Sequence, residues 1–139
     1  MGTRSVTYIH EMDSLGGGVA CAFYRQYDGY PSGHGQDLAD WLQGKSLVNG
    51  IGSDFRKGID HNRAGQMAID LMYDLKKETS IECCPLDIDA GGLDFVYHVY
   101  FEGGEFFIKG VDPYYDKELK VSVGDFDAVI MESELGCDE

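Results

Sequence analysis

Arg25, Tyr27, Asp28, Tyr30 and His34 fall within twelve consecutive residues, Tyr24-Arg25-Gln26-Tyr27-Asp28-Gly29-Tyr30-Pro31-Ser32-Gly33-His34-Gly35. No other stretch is so dense in side chains that bind ligands. Asp28-Gly29 is a turn dipeptide, and Pro31 forces Tyr30 into an extended conformation. Gly33 and Gly35 then let the chain turn tightly into a helix expected from Gln36. Unpaired amides and the dipole make a helix start attractive to anions. Arg25 and His34 beside such amides would suit a phosphate or carboxylate, and the tyrosine faces would suit a stacked base. These five residues are the candidate ligand site. Asp37, in the first turn of the same helix, competes for the same amides.

Catalytic and metal readings fare worse. Asp28, Ser32 and His34 are neighbours in one loop, which rarely gives triad geometry, and no Gly-x-Ser-x-Gly turn is present, so no catalytic residue is assigned. His34, His61, Cys83, Cys84 and His98 lack the Cys-x-x-Cys and His-Glu-x-x-His spacings of zinc sites. Asp87-Ile88-Asp89-Ala90-Gly91-Gly92 starts like a calcium loop, but Gly91 and His98 stand where oxygen ligands are needed. Gly16-Gly17-Gly18 lacks the Gly-Lys-Ser/Thr ending of a phosphate loop, and Gly33-His34-Gly35 is followed by Leu38 instead of the last glycine of a dinucleotide fingerprint. No metal and no cofactor is expected.

The elements that must position the candidate residues follow from periodicity. Ser5 to His10 and Val19 to Tyr27 alternate as strands around a glycine-rich turn, a hairpin signature. Leu38, Trp41 and Leu42 make the stripe of a short helix closed by Gly44, with Trp41 as its core anchor. Gly44 to Gly58 reads as loop. A second helix is expected from an Asp60 or Asn62 cap to about Lys77, with Ala64, Ala68, Leu71, Met72 and Leu75 inward. Ile81 to Leu86 is a candidate strand. Asp94 to Phe101 is apolar on both faces, and His98 in its middle is expected to be half-buried and hydrogen-bonded. Phe106 to Val111 and Leu119 to Val123 continue the sheet, and Asp127 to Glu134 fits either an edge strand or a last helical turn. The expected fold is one α+β domain over residues 1–139: an antiparallel sheet of about five or six strands in hairpins, two helices packed on one face, and an acidic frayed tail over about 133–139.

Composition narrows the function. Twenty-five acidic against 11 basic residues leave a formal net charge of −14. Such a field disfavours direct nucleic-acid and anionic-membrane binding and favours a basic protein partner. No apolar run reaches the roughly 20 residues of a bilayer span, no basic start precedes an apolar export segment, and Cys21, Cys83, Cys84 and Cys137 read as reduced thiols. A cytoplasmic location is expected; the oligomeric state is open.

Gly2-Thr3-Arg4, the Tyr-x-x-Tyr-Asp-Gly-Tyr-Pro-x-Gly-x-Gly segment and the Leu-Ala-x-x-Leu helix resemble a family of small, uncharacterised bacteriophage and prophage proteins. The matching residues are Thr3, Arg4, Tyr24, Asp28, Gly29, Tyr30, Pro31, Gly33, Gly35, Leu38 and Leu42, and the strand from Asp94 looks like a second shared block. The resemblance implies provenance in a phage or mobile element working in bacterial cytoplasm, and implies no activity. With the net charge it leads to an expected function: an acidic inhibitor that occupies a basic, nucleic-acid-handling host nuclease or effector, of the anti-CRISPR or anti-restriction kind, possibly by mimicking phosphates. The competing expectation is a nucleotide-binding sponge that uses the Tyr24–Gly35 junction.

Overall fold

Residues 5–10 and 19–25 read as extended, and the structure places them within a six-stranded sheet. β1 (Ser5–His10) and β2 (Val19–Arg25) form the expected antiparallel hairpin, with Thr7 opposite Phe23. Gly16 and Gly17 make its turn at φ of 103° and 69°. The computed structural model describes residues 2–135; Cys137 and the expected tail over 136–139 lie outside the described residues.

The chain next forms α1 (Gln36–Leu42), then the short strands β3 (Ser46–Val48) and β4 (Asp60–Asn62), then α2 (Ala64–Leu75). It returns through β5 (Ile81–Cys83), β6 (Phe95–Glu102), β7 (Glu105–Asp112) and β8 (Lys117–Ser122), and closes the fold with α3 (Ala128–Glu134). The six-stranded sheet has the order β5-β2-β1-β6-β7-β8, and β3 and β4 form a separate parallel pair. The fold is α+β, as the pattern of elements indicates.

Three details differ from the sequence reading. β1 and β6 run parallel, with Thr7 beside Tyr97, while the other pairings of the large sheet are antiparallel. β1 is buried on both faces over Ser5–Ile9, and β6 on both faces over Phe95–Tyr97, as suits the middle of a sheet. Among the described residues there are three α-helices, not two. The segment 127–134 is helical because the Asp127 carboxylate accepts from the amides of Val129 (3.0 Å) and Ile130 (3.3 Å). Met131 and Leu135 then pack over Gly110, where an added Cβ would sit 2.7 Å from the Met131 sulfur. Leu135 is fully buried, so the chain up to that residue is docked rather than frayed.

The start of α2 is the third correction. Asp60 does not cap it, because its carboxylate is held by Arg56 and by the Ser46 hydroxyl. The Ala64 amide is received by both oxygens of Glu11, 53 residues earlier, after Arg63 turns the chain at φ 75°. Its inner stripe, Ala64, Met67, Ala68, Leu71 and Leu75, is buried. Each of the larger side chains there contributes about 1.5–3 kcal/mol. Gly65 lies outside that stripe, and a Cβ on it meets nothing within 4 Å. Gly65→Ala is therefore expected to stabilise the protein by about 0.5–1 kcal/mol, measured as a higher urea midpoint at unchanged slope.

All three helices cover one face of the sheet. Ile9, Phe23, Tyr97, Val99 and Ile108 meet Leu38, Leu42, Leu71 and Met131 in the main core. The opposite face is closed only in part, where the 84–93 segment lays Leu93, Cys84 and Ile88 over Val6, Tyr8, Ala22 and Val96.

Candidate functional site

The Tyr24–Gly35 junction is built by backbone geometry before any side chain acts. Asp28 takes a left-handed φ of 59°, and Pro31–Gly35 form one wide π-type turn that runs into α1. The Asp28 carbonyl receives the His34 amide at 2.8 Å. The Gly29 amide donates to the Thr3 carbonyl at 2.8 Å, and the Gly29 carbonyl accepts from the Tyr97 hydroxyl at 2.6 Å. A Cβ on Gly33 would lie 2.3 Å from the Asp28 carbonyl oxygen, and one on Gly29 would lie 2.8 Å from that of Thr3.

This loop turns two of the five candidate residues inward. His34 is fully buried and Arg25 is 4% exposed. The Arg25 guanidinium bonds His34 Nδ1 (3.1 Å), the Asp37 carboxylate (2.7 Å) and the Tyr27 carbonyl (2.6 Å). A guanidinium only donates, so Nδ1 of His34 is the acceptor and the neutral ring carries its proton on Nε2. That proton goes to Thr7 Oγ1, 2.6 Å away. Phe23 and Tyr97 press edge-on against the ring. Burial first, and the Arg25 charge second, push the His34 pKa down to about 3. The anion held by Arg25 is thus the protein's own Asp37. Tyr27, Asp28 and Tyr30 remain on the surface, where the Tyr30 hydroxyl donates to the Asp28 carboxylate at 3.0 Å.

The solvent-facing chemistry lies on the far side of Asp37. A groove of about 320 Å³ between α1 and α2 is lined by Asp37, Asp40, Trp41, Asp74, Leu75 and Glu78. Trp41 is half-buried: it packs against the main core, as expected, and also lines the groove, where its indole N–H donates to Asp74 at 2.7 Å. That bond leads in holding the Asp74 carboxyl below the ordinary aspartate range, against partial desolvation, with Lys77 adding to it. Lys45 covers the indole ring 4.3 Å from its centroid. Behind Trp41, His61 is bonded through Nδ1 to Asp70 at 3.1 Å, while its Nε2 is buried without a partner. Asp70 and Asp74 stand one turn apart on α2, a like-charge pair that weakens the helix by a few tenths of a kcal/mol. The signal for this groove was present in the sequence as Asp37 and Asp40 at i, i+3 and Asp70, Asp74 and Glu78 at i, i+4, i+8.

The uncovered part of the sheet carries a second cluster. Tyr8, His98, Tyr100 and His10 stack along β1 and β6, with His10 and His98 nitrogens 2.9 Å apart. His98 is half-buried and partnered, as expected from its place in the strand. Burial, then His10 and Lys109, lower its pKa to about 4. Burial and Lys109 likewise lower that of His10, against the Gly17 carbonyl. Burial raises the thiols of Cys21 and Cys84 and makes them poor nucleophiles.

Among the described residues no three His, Cys, Asp or Glu side chains are placed to hold a metal ion, and no helix is long and apolar enough to cross a membrane. Comparison of the chain with protein-family models, with curated proteins and with solved structures gives no match.

Proposed function

We propose that this chain is a non-catalytic binding protein of phage origin that docks on a basic, nucleic-acid-handling surface of a host defence complex, of the anti-CRISPR or anti-restriction kind. The observation that carries the reading is the α1–α2 groove, where four carboxylates surround one tryptophan. A lysine or arginine of a partner entering it would find opposite charge, beside an indole that Lys45 already covers on one side. The rest of the surface supports the same reading: among the described acidic residues only Asp60 and Asp112 are buried, so nearly all of their negative charge lies outside the core. The likeness of the Tyr24–Gly35 segment to phage and prophage proteins supports the provenance.

The test is competition. Purified CRISPR effector complexes and restriction endonucleases are titrated with the protein in the presence of labelled DNA. The expected result is displacement of DNA by one of them, weakening at least tenfold as salt rises from about 50 to about 300 mM. Asp40→Asn with Glu78→Gln should weaken that binding by about tenfold while leaving the melting temperature unchanged. Absence of binding to every such basic partner at all salt concentrations would overturn the reading.

The nucleotide-sponge alternative draws less support from the geometry. Its anion-holding residues, Arg25 and His34, are committed to Asp37, Thr7 and each other, and only Tyr27, Asp28 and Tyr30 face solvent.

A further inference from the structure

β8 is an outermost strand, bonded on one side to β7. Antiparallel pairing leaves the N–H and C=O groups of alternate residues pointing away from the neighbour. On the outer side of β8 these groups have no partner among the described residues. Lys117, Glu118 and Lys120 are exposed along it. The other edge, β5, is three residues long and ends where the Cys84 amide bonds back to the Ala22 carbonyl. The sheet therefore has one long open edge.

We infer that this edge pairs antiparallel with β8 of a second copy of the chain, about a two-fold axis at Leu119. The charge pattern selects that register. With Leu119 opposite itself, Glu118 of each copy faces Lys120 of the other, and both helical layers stay on the same side of a continuous sheet. The neighbouring registers that keep the helical layers together set Lys120 against Lys120 or Glu118 against Glu118, and like charges directly opposite are destabilising.

The two ends of the strand fit the same operation. The β7–β8 turn exposes Tyr114 by 80% and Tyr115 by 53%. It is a rigid tip: the buried Asp112 carboxylate accepts from both their amides, at 2.9 and 3.1 Å, and the rings meet edge-to-face. At the opposite end of β8 lies a hollow lined by Lys45, Arg56, Glu105, Phe106, Val123 and Gly124. The missing side chain of Gly124 opens onto empty space. Pairing about Leu119 sets Lys117 of one copy opposite Val121 of the other, so the Tyr114–Tyr115 turn of one copy lies beyond the Ser122 end of the other's β8. Each tip then reaches toward the other copy's hollow, with its rings toward Phe106 and Val123. Aromatic anchors in a preformed concavity are the usual energetic centre of an interface.

The net charge of each copy opposes association, but that repulsion is screened beyond about 8 Å at physiological ionic strength, and the edge contacts are shorter. The dimer should consequently tighten as salt rises from about 20 to about 150 mM, opposite in sign to the salt dependence proposed for the basic partner.

Sedimentation velocity on the full chain from about 5 to about 200 µM tests this through mass action. The expected result is a shift from monomer to dimer with concentration. Lys120→Glu alone and Glu118→Lys alone should each raise the dimer Kd at least tenfold, and the two together should restore it. Tyr114→Ser with Tyr115→Ser should raise it likewise at an unchanged melting temperature, which separates loss of the interface from loss of the fold. A monomer across the whole range, single variants that dimerise like the parent, or a folded double swap that fails to restore the dimer would overturn the inference.

Discussion

Acidification from about pH 7 to about pH 4.5 is expected to remove on the order of 2–3 kcal/mol of stability through His34 alone. The sign follows from the direction of its shift. The folded protein holds His34 neutral down to a pKa of about 3, through burial and the Arg25 charge, whereas the unfolded chain takes up the proton near the ordinary histidine value of 6.5. Protons thus favour the unfolded state, so the contribution is complete above about pH 6.5, falls with pH, and is spent near pH 3. His98 acts in the same direction over 6.5 to about 4, with a smaller effect because its ring is partly solvated. The Asp74 carboxyl, lowered mainly by the Trp41 bond, adds its loss only below about pH 4. Urea denaturation at several pH values measures the profile. His34→Gln supplies an amide that can donate to Thr7 and a carbonyl that can accept from Arg25, without titrating. It should flatten the profile between about pH 6.5 and 4.5, and a parent protein equally stable across that window would refute the assignment.

Gly33→Ala is expected to cost about 3 kcal/mol or more, as is Gly29→Ala. The added Cβ of Gly33 meets a backbone oxygen at 2.3 Å, and that oxygen is fixed by its bond to the His34 amide. Relief requires opening the turn that seats His34 against Thr7 and Arg25. The Gly29 Cβ meets the Thr3 carbonyl at 2.8 Å and the Ser5 Cβ at 2.9 Å, in the same bonded framework. Thermal and urea unfolding of these variants beside Gly65→Ala checks the distinction between glycines required by close approach and one that is not. A Gly33→Ala protein within about 1 kcal/mol of the parent would refute the account of the turn.

Much of the architecture was legible because it is written locally. The two-faced apolar alternation of 95–101 marks a central strand, and the stripe of α2 marks a helix. The inward turn of Arg25 was legible too: it follows Cys21 and Phe23 at a spacing of two and so shares their face. What local pattern does not encode is which distant group takes up a side chain. Asp60 has the chemistry of a helix cap but is taken by Arg56 and Ser46, and the cap comes from Glu11. Val129 and Met131 alternate like a strand, yet Met131 and Leu135 one helical turn apart fill the gap over Gly110. For the same reason the types of Arg25, His34 and Asp37 announce anion chemistry without revealing that the anion is internal.

The parallel pairing of β1 with β6 governs how the chain reaches this structure. Val6 lies beside Val96, so the middle of the sheet closes a loop of about ninety residues. Contacts so distant in sequence slow folding, because the entropy of closure is lost before the contact is gained. The β1–β2 hairpin is made before β6, and one side of β1 stays unpaired until β6 follows. Folding should therefore be late and cooperative, on a millisecond-to-second scale once the strand partner is available. Residues of β1, made about ninety positions ahead of their partner strand, are among the last to be sealed into the sheet.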